Sequence, residues 1–122
     1  MTEVKFNEWR DKFLEVLHGE LKDWENQPAL RHRFRKYFDD FHMVEIFIYD
    51  RESWKEESTL VEVLLDYPKE GDGFYNIIAV WRKPCSSEGF LRWLEEQLPL
   101  HLMEPPVPTI GPPEKSMDKD YA

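Results

Sequence analysis

Three apolar runs separated by polar turns, between residues 43 and 83, constrain the fold more than any other feature of the chain. The first two runs, 43–49 and 59–67, are apolar at every second position, which is the side-chain period of a β-strand. The third run, 74–82, is apolar at almost every position, and the turn-forming sequence PKEGDG precedes it. We therefore predict a three-stranded antiparallel β-meander whose third strand is the central or best-covered one.

Helical spacing marks the segments on both sides of the meander. Residues 3–27 are apolar at intervals of three and four, which predicts a helix with one buried face. The same interval over residues 28–41 predicts a second helix. After the meander, Ser86 or Ser87 is expected to cap a last helix that ends at Leu98. The predicted fold class is α+β, with N-terminal helices, the meander, and a C-terminal helix packed on one sheet face.

The composition of the chain changes at Pro99. Six of the nine prolines fall between Pro99 and Pro113, and proline is excluded from helix interiors and central strands. The chain has 122 residues, enough for one domain with a working core. We predict a single α+β domain over residues 1–98, followed by a Pro-rich extended or disordered tail over residues 99–122.

The charge balance limits the kinds of partner. Sixteen basic and 25 acidic residues give a net charge of −9, which repels the phosphate backbone of nucleic acids. A basic protein is the natural complement of such a surface, because opposite fields steer association. The alternative is that the acidity serves only to keep a small protein soluble.

One dense positive cluster interrupts this acidity, formed by Arg31, Arg33, Arg35 and Lys36. It could bind phosphate or an acidic peptide. Alternatively, it forms internal salt bridges with the acidic remainder of the chain.

The predicted element order is similar to that of the double-stranded RNA-binding domain. That module implies lysines at the start of its last helix, which hold phosphates. Here the sequence at that place is SSEG, residues 86–89, so the resemblance implies no nucleic-acid function. We predict no direct nucleic-acid binding. Size and charge also resemble those of toxin-immunity proteins and secretion chaperones, although no motif carries that analogy.

No residue pattern points to a catalytic or metal centre. The four histidines have no histidine or cysteine partner at ligand spacing, so we predict no metal and no cofactor. Cys85 is the single cysteine and precedes the last predicted helix, where a thiolate would be stabilised, but no base accompanies it in the sequence. A lone cysteine, a charged N-terminal stretch and the lack of a bilayer-length apolar run predict a cytoplasmic protein without membrane contact.

These observations favour a non-enzymatic acidic protein-binding module, of the inhibitor, immunity or adaptor type, that docks a basic partner. The high aromatic content, 15%, is compatible with a binding face. The predicted contacts lie in the two connectors of the meander: Glu52, Trp54, Glu56 and Glu57 in the first, and Glu70 and Asp72 in the second. One alternative is a structural protein that forms a homodimer or larger assembly through a sheet edge or an apolar patch. The other is a small enzyme of an unrecognised family.

Overall fold

The structure is a computed structural model that describes residues 3–26, 32–49, 59–104 and 116–122. In chain order, its elements are α1 (Glu3–Glu20), β1 (Glu25–Asn26), β2 (Arg33–Tyr37), β3 (Met43–Ile48), β4 (Val61–Asp66), β5 (Tyr75–Trp81), α2 (Ser87–Glu96) and α3 (Leu98–Leu102). The strands form one antiparallel sheet in the order β1-β2-β3-β4-β5, so each strand pairs with its neighbour in sequence. The α+β class is confirmed, whereas the predicted count of three strands is wrong, because the sheet has five strands within the described residues. The third predicted strand, β5, is also not central, because it lies at the edge of this sheet.

The predicted helix over residues 28–41 is wrong, because β2 occupies its middle part. β2 pairs with β3 along its whole length, and Phe34 lies opposite Ile46. Phe34 is buried, while Arg33 and Arg35 on either side of it are half-buried. This alternation is the period of a strand, and pairing with β3 satisfies the backbone donors and acceptors that a helix would have satisfied internally.

The first predicted helix is confirmed as far as Glu20, where α1 ends. The chain then turns, and Glu25 and Asn26 pair with β2 as the short edge strand β1. Residues 27–31, where the second predicted helix begins, lie outside the described residues.

Helices α1 and α2 pack against the same face of the sheet, which we call the core face. The ring of Phe13 in α1 contacts that of Phe90 in α2, at 5.4 Å between centroids. Phe90 in turn lies 5.0 Å from Trp81 of β5. The sheet contributes the buried side chains Phe34, Val44, Ile46, Ile48, Val61, Val63, Leu65, Ala79 and Trp81. The period-two pattern predicts that these side chains share one buried face. Their burial is the main contribution to the stability of the fold.

The C-terminal segment, residues 116–122, packs against β5 and α2. The Met117 N–H donates to the carbonyl oxygen of Val80 at 2.8 Å. Met117 and Tyr121 also pack against the core cluster. The division of the chain at residue 98 stays a prediction, but α3 and the C-terminal segment, the described parts of the predicted tail, are folded.

Candidate protein-docking surface

The sheet face opposite the helices, which we call the outer face, carries three rows of side chains across the strands. Because side chains alternate along a strand, residues paired across the register share a face. The row nearest the β2–β3 turn holds Tyr37, Met43, Asp66 and Tyr75. The second row holds Arg35, Glu45, Leu64 and Ile77, and the third holds Arg33, Phe47, Glu62 and Val80. The outer face therefore mixes charged, aromatic and aliphatic groups, unlike the apolar core face.

The positive cluster predicted from the sequence is paired internally. Each of its described members contacts a carboxylate on a neighbouring element. The pairs are Arg33 with Glu45, Arg35 with Glu25, and Lys36 with Asp23. Arg31 lies outside the described residues. Of the two alternatives for this cluster, the geometry favours internal salt bridges over a phosphate site.

Asp66, in the first row, is a half-buried carboxylate in an unfavourable environment. Its Oδ2 atom is buried and accepts no hydrogen bond from the described residues. Burial, and next the nearby charge of Glu45, raise the pKa of Asp66 to about 6, and Arg33 only partly offsets this. Burial and the hydrogen bond to Glu62 likewise raise the pKa of Tyr49. The outer face is therefore partly desolvated, and adding negative charge to it is costly.

Exposed aromatic rings concentrate where the β2–β3 turn and the β4–β5 connection meet. We call this surface, residues 37–43 and 66–75, the turn end. Of the eight large hydrophobic side chains exposed in the described ranges, five lie there: Tyr37 at 58%, Phe38 at 38%, Phe41 at 57%, Phe74 at 42% and Tyr75 at 43%. The rings of His42 and Tyr67, 5.8 Å apart, join the two loops. Phe38 faces the helical side of the sheet, where its ring lies 5.8 Å from that of Trp24. The other four rings are exposed within these two segments, and a local concentration of exposed rings is typical of a protein–protein contact site.

Carboxylates lie in the same two segments as these rings. The turn end carries five of them, Asp39, Asp40, Asp66, Glu70 and Asp72, and a single lysine, Lys69. Asp39 is held in place by the backbone N–H groups of Phe41 and His42, at 2.7 and 2.8 Å from its Oδ1. These hydrogen bonds, with that of the His42 ring, lower the pKa of Asp39, so it remains ionised. The surface around the rings is thus negative at neutral pH.

Two of the six residues predicted as partner contacts fall on the turn end. Glu70 closes a single 3-10 turn over Pro68–Glu70, and Asp72 follows it; both are exposed. Gly71 and Gly73, at φ of 105° and 85°, adopt the left-handed backbone that this connection requires.

The other four predicted contacts, Glu52, Trp54, Glu56 and Glu57, lie outside the described residues, so their role stays a prediction.

The sequence interpretation missed the exposed rings of Tyr37 and Phe41. The apolar spacing that predicts a helix over residues 28–41 places both rings on its inner face, whereas residues 33–37 form β2. Arg33, Arg35 and Tyr37 fall at every second position, on the face of a strand opposite to Phe34. This pattern is the signal that could have placed Tyr37 on an outer sheet face.

Cys85 lacks the properties of a reactive thiol. It is buried, and burial raises its pKa to about 12, so the sulfur is protonated at neutral pH. In the described ranges, no group of three His, Cys, Asp or Glu side chains is placed to bind a metal ion. Within the same ranges, no helix has the length and apolar character needed to cross a bilayer.

Comparisons of the chain with protein-family models, with curated proteins and with solved structures found no match.

Proposed function

We propose that the protein is a non-enzymatic acidic binding module, of the inhibitor, immunity or adaptor type, which docks a basic protein through the turn end. The observation that carries this proposal is the coincidence of exposed rings and carboxylates on one surface. Tyrosine and phenylalanine supply large contact areas with few rotatable bonds, and such anchors contribute most of the affinity in many interfaces. Carboxylates around them repel acidic proteins and steer basic ones.

The outer face of the sheet is continuous with the turn end and does not weaken its negative charge. Its arginines are already paired with carboxylates, so they leave the negative field of the turn end intact. Tyr37 and Tyr75 stand at opposite ends of the first row, with Met43 and Asp66 between them. Two basic side chains of a partner placed over this row could contact the ring of Tyr37 at one end and that of Tyr75 at the other.

The test is capture of partners by the tagged full chain from a lysate of the source cells, at low and at high salt, followed by mass spectrometry. A turn-end variant, Glu70→Lys with Asp72→Lys, is compared with a control of equal charge change, Glu8→Lys with Asp11→Lys, on the exposed side of α1. We expect wild type and the control variant to capture a basic protein at low salt. High salt should abolish this capture, and the turn-end variant should not bind the protein.

A partner that resists high salt and binds the turn-end variant as well as wild type would contradict the proposal. A second variant, Tyr37→Ser with Tyr75→Ser, tests the aromatic anchors and is expected to weaken capture without changing the net charge.

Self-assembly is a second candidate function, favoured by an observation on α3. Leu100 and Met103 are exposed at 55% and 82%, although both are apolar. The β5 edge is partly occupied, because the Met117 N–H already binds Val80, so an apolar patch is a better contact than this sheet edge. Light scattering at micromolar concentration is expected to show a dimer that Leu100→Ser with Met103→Ser converts to a monomer. A wild-type monomer would remove this candidate.

A further inference from the structure

An open groove of about 380 Å³ lies on the helical side of the molecule, between the end of α1, β2 and the α2–α3 pair. Apolar side chains from all three parts line it. They include Leu21, Trp24, Phe38, Leu94, Leu98 and Leu102. Leu21 and Leu98 are buried, whereas Trp24, Leu94 and Leu102 are only half-buried, so the groove exposes apolar surface beside the core.

Three carboxylates and one ammonium group also line the groove. Lys36 pairs with Asp23, and its Nζ atom lies 5.1 Å from the ring centroid of Phe38. This ion pair neutralises one carboxylate at the rim. Glu20 and Glu95 have no ion-pair partner in the described ranges. Within the described residues, the rim therefore carries two negative charges without a cationic partner, around an apolar floor.

We infer that this groove binds an amphipathic segment of a protein partner, with leucine-sized side chains on the apolar floor and lysine or arginine against Glu20 and Glu95. This inference rests on the proposed function, because it takes from it that the partner is basic. The groove volume lies within the range of sites that enclose several apolar groups, and its open side admits a continuous chain. Amphipathic helices bind such grooves through apolar side chains spaced at three and four residues.

The groove and the turn end meet at the β2–β3 turn. Phe38 lines the groove, while the preceding Tyr37 belongs to the outer face of the sheet. One partner can therefore contact both surfaces, with its basic residues facing negative charge at each.

The experiment uses the whole 122-residue chain and a synthetic amphipathic peptide made only of leucine and lysine. A peptide in which glutamate replaces lysine is the control ligand. Binding is measured by titration calorimetry, and its location by the NMR shift of the Trp24 indole N–H, with that of Trp9, which does not line the groove, as reference. The groove variant is Glu20→Lys with Glu95→Lys, and the control variant, with the same charge change, is Glu8→Lys with Asp11→Lys. All four side chains are exposed, so both variants are expected to fold.

The expected result is saturable binding of the leucine–lysine peptide with a shift at Trp24. We expect Kd to rise by about tenfold in the groove variant and by no more than about twofold in the control. Equal losses in both variants would show a response to net charge alone and would overturn the inference. Binding without a shift at Trp24, no binding, or equal binding of the glutamate peptide would also overturn it. None of these results bears on the turn-end capture experiment, so the proposed function stands or fails separately.

Discussion

The indole Nε1 of Trp81 donates a hydrogen bond of 2.7 Å to the carbonyl oxygen of Tyr121, forty residues further along the chain. Trp81 is fully buried on the core face, and a buried indole N–H needs an acceptor. The C-terminal segment supplies that acceptor. A segment that is mostly polar in sequence thus allows Trp81 to be buried, because it satisfies the indole N–H.

Asp118 anchors this segment, and its removal is expected to destabilise the fold. Its carboxylate accepts the backbone N–H groups of Arg82 and Lys83, at 3.1 to 3.2 Å. Asp118→Ala is therefore expected to lower the free energy of unfolding by about 1–2 kcal/mol, measured by urea denaturation. Asp118→Asn keeps one acceptor oxygen and should lose less. The exposed neighbour Lys119→Ala is the control, expected to change stability by less than about 0.5 kcal/mol. Equal effects of Asp118→Ala and Lys119→Ala would argue that the contact contributes nothing.

Two helical glycines should respond to alanine in opposite directions. A Cβ on Gly89 of α2 would lie 2.7 Å from the carbonyl oxygen of Ala122 and 3.0 Å from that of Tyr121. Gly89→Ala must push the C-terminal segment away and is expected to lose about 1–3 kcal/mol of stability. A Cβ on Gly19 of α1 would meet nothing within 4 Å. Gly19→Ala is therefore expected to gain about 0.5–1 kcal/mol. Thermal denaturation of both variants is the measurement, and a stabilised Gly89→Ala would mean that the segment does not pack against α2.

The stability of the protein is expected to depend on pH through Asp66. Burial raises its pKa from 3.8 to about 6 in the folded state, so the folded protein binds this proton more tightly than the unfolded chain does. Its contribution to stability is full below pH 3.8 and is lost as the pH rises through about 6. Asp66→Asn should therefore stabilise the protein at neutral pH, on the order of 1–2 kcal/mol after allowance for partial exposure, and the gain should vanish near pH 4. Urea titrations across this range check the prediction, with the exposed Asp40→Asn as control. A gain that does not vary with pH would contradict it.

Two ion pairs on β2 should differ in energy because they differ in burial. The Glu45 side chain is 7% exposed and depends on Arg33, whereas Glu25, the partner of Arg35, is 61% exposed. Arg33→Met leaves a buried carboxylate without its cation and is expected to lose about 3 kcal/mol. Adding Glu45→Leu to this variant should restore most of the loss. Arg35→Met is the matched control on the same strand, with an expected loss of at most about 1 kcal/mol. Equal losses for the two methionine variants, by urea denaturation, would show that burial of Glu45 does not determine the energy of the pair.

The central sheet was predictable because its pattern is local. The predicted runs 43–49, 59–67 and 74–82 contain β3, β4 and β5, and each boundary lies within two residues of the observed one. Period-two burial requires no knowledge of the partner strand. Ser86 was likewise predictable as the N-cap of α2, since its hydroxyl accepts the Gly89 N–H.

β2 was not predictable in this way, because its sequence fits two periods at once. Phe34 and Phe38 are four apart, as on a helix face, while Arg33 and Arg35 alternate with Phe34, as in a strand. Contacts with β3 and β1, including the partners of both arginines, decide between the two periods.

The packing of the C-terminal segment was not predictable for another reason. Several of its contacts use main-chain carbonyl groups, which leave no pattern in the sequence.

The candidate surface was predictable in part. Turn chemistry placed Glu70 and Asp72 in a connector, and the structure puts both on the turn end. The exposed rings of Tyr37 and Phe41 at the same end of the sheet come from the end of β2 and from the β2–β3 turn. That association depends on the antiparallel order of the strands, which brings alternate connections to the same end of a sheet.

The simple strand order also has a consequence for how the protein reaches its native state. Because every strand pairs with its neighbour in sequence, the sheet can grow one hairpin at a time, and no step needs to close a loop across the whole chain. The docking of residues 116–122 against β5 and α2 differs from hairpin growth, since it joins parts of the chain that are 24 to 40 residues apart. Assembly of the hairpins should therefore be fast and insensitive to substitutions in residues 116–122. Such substitutions should act mainly on the rate of unfolding.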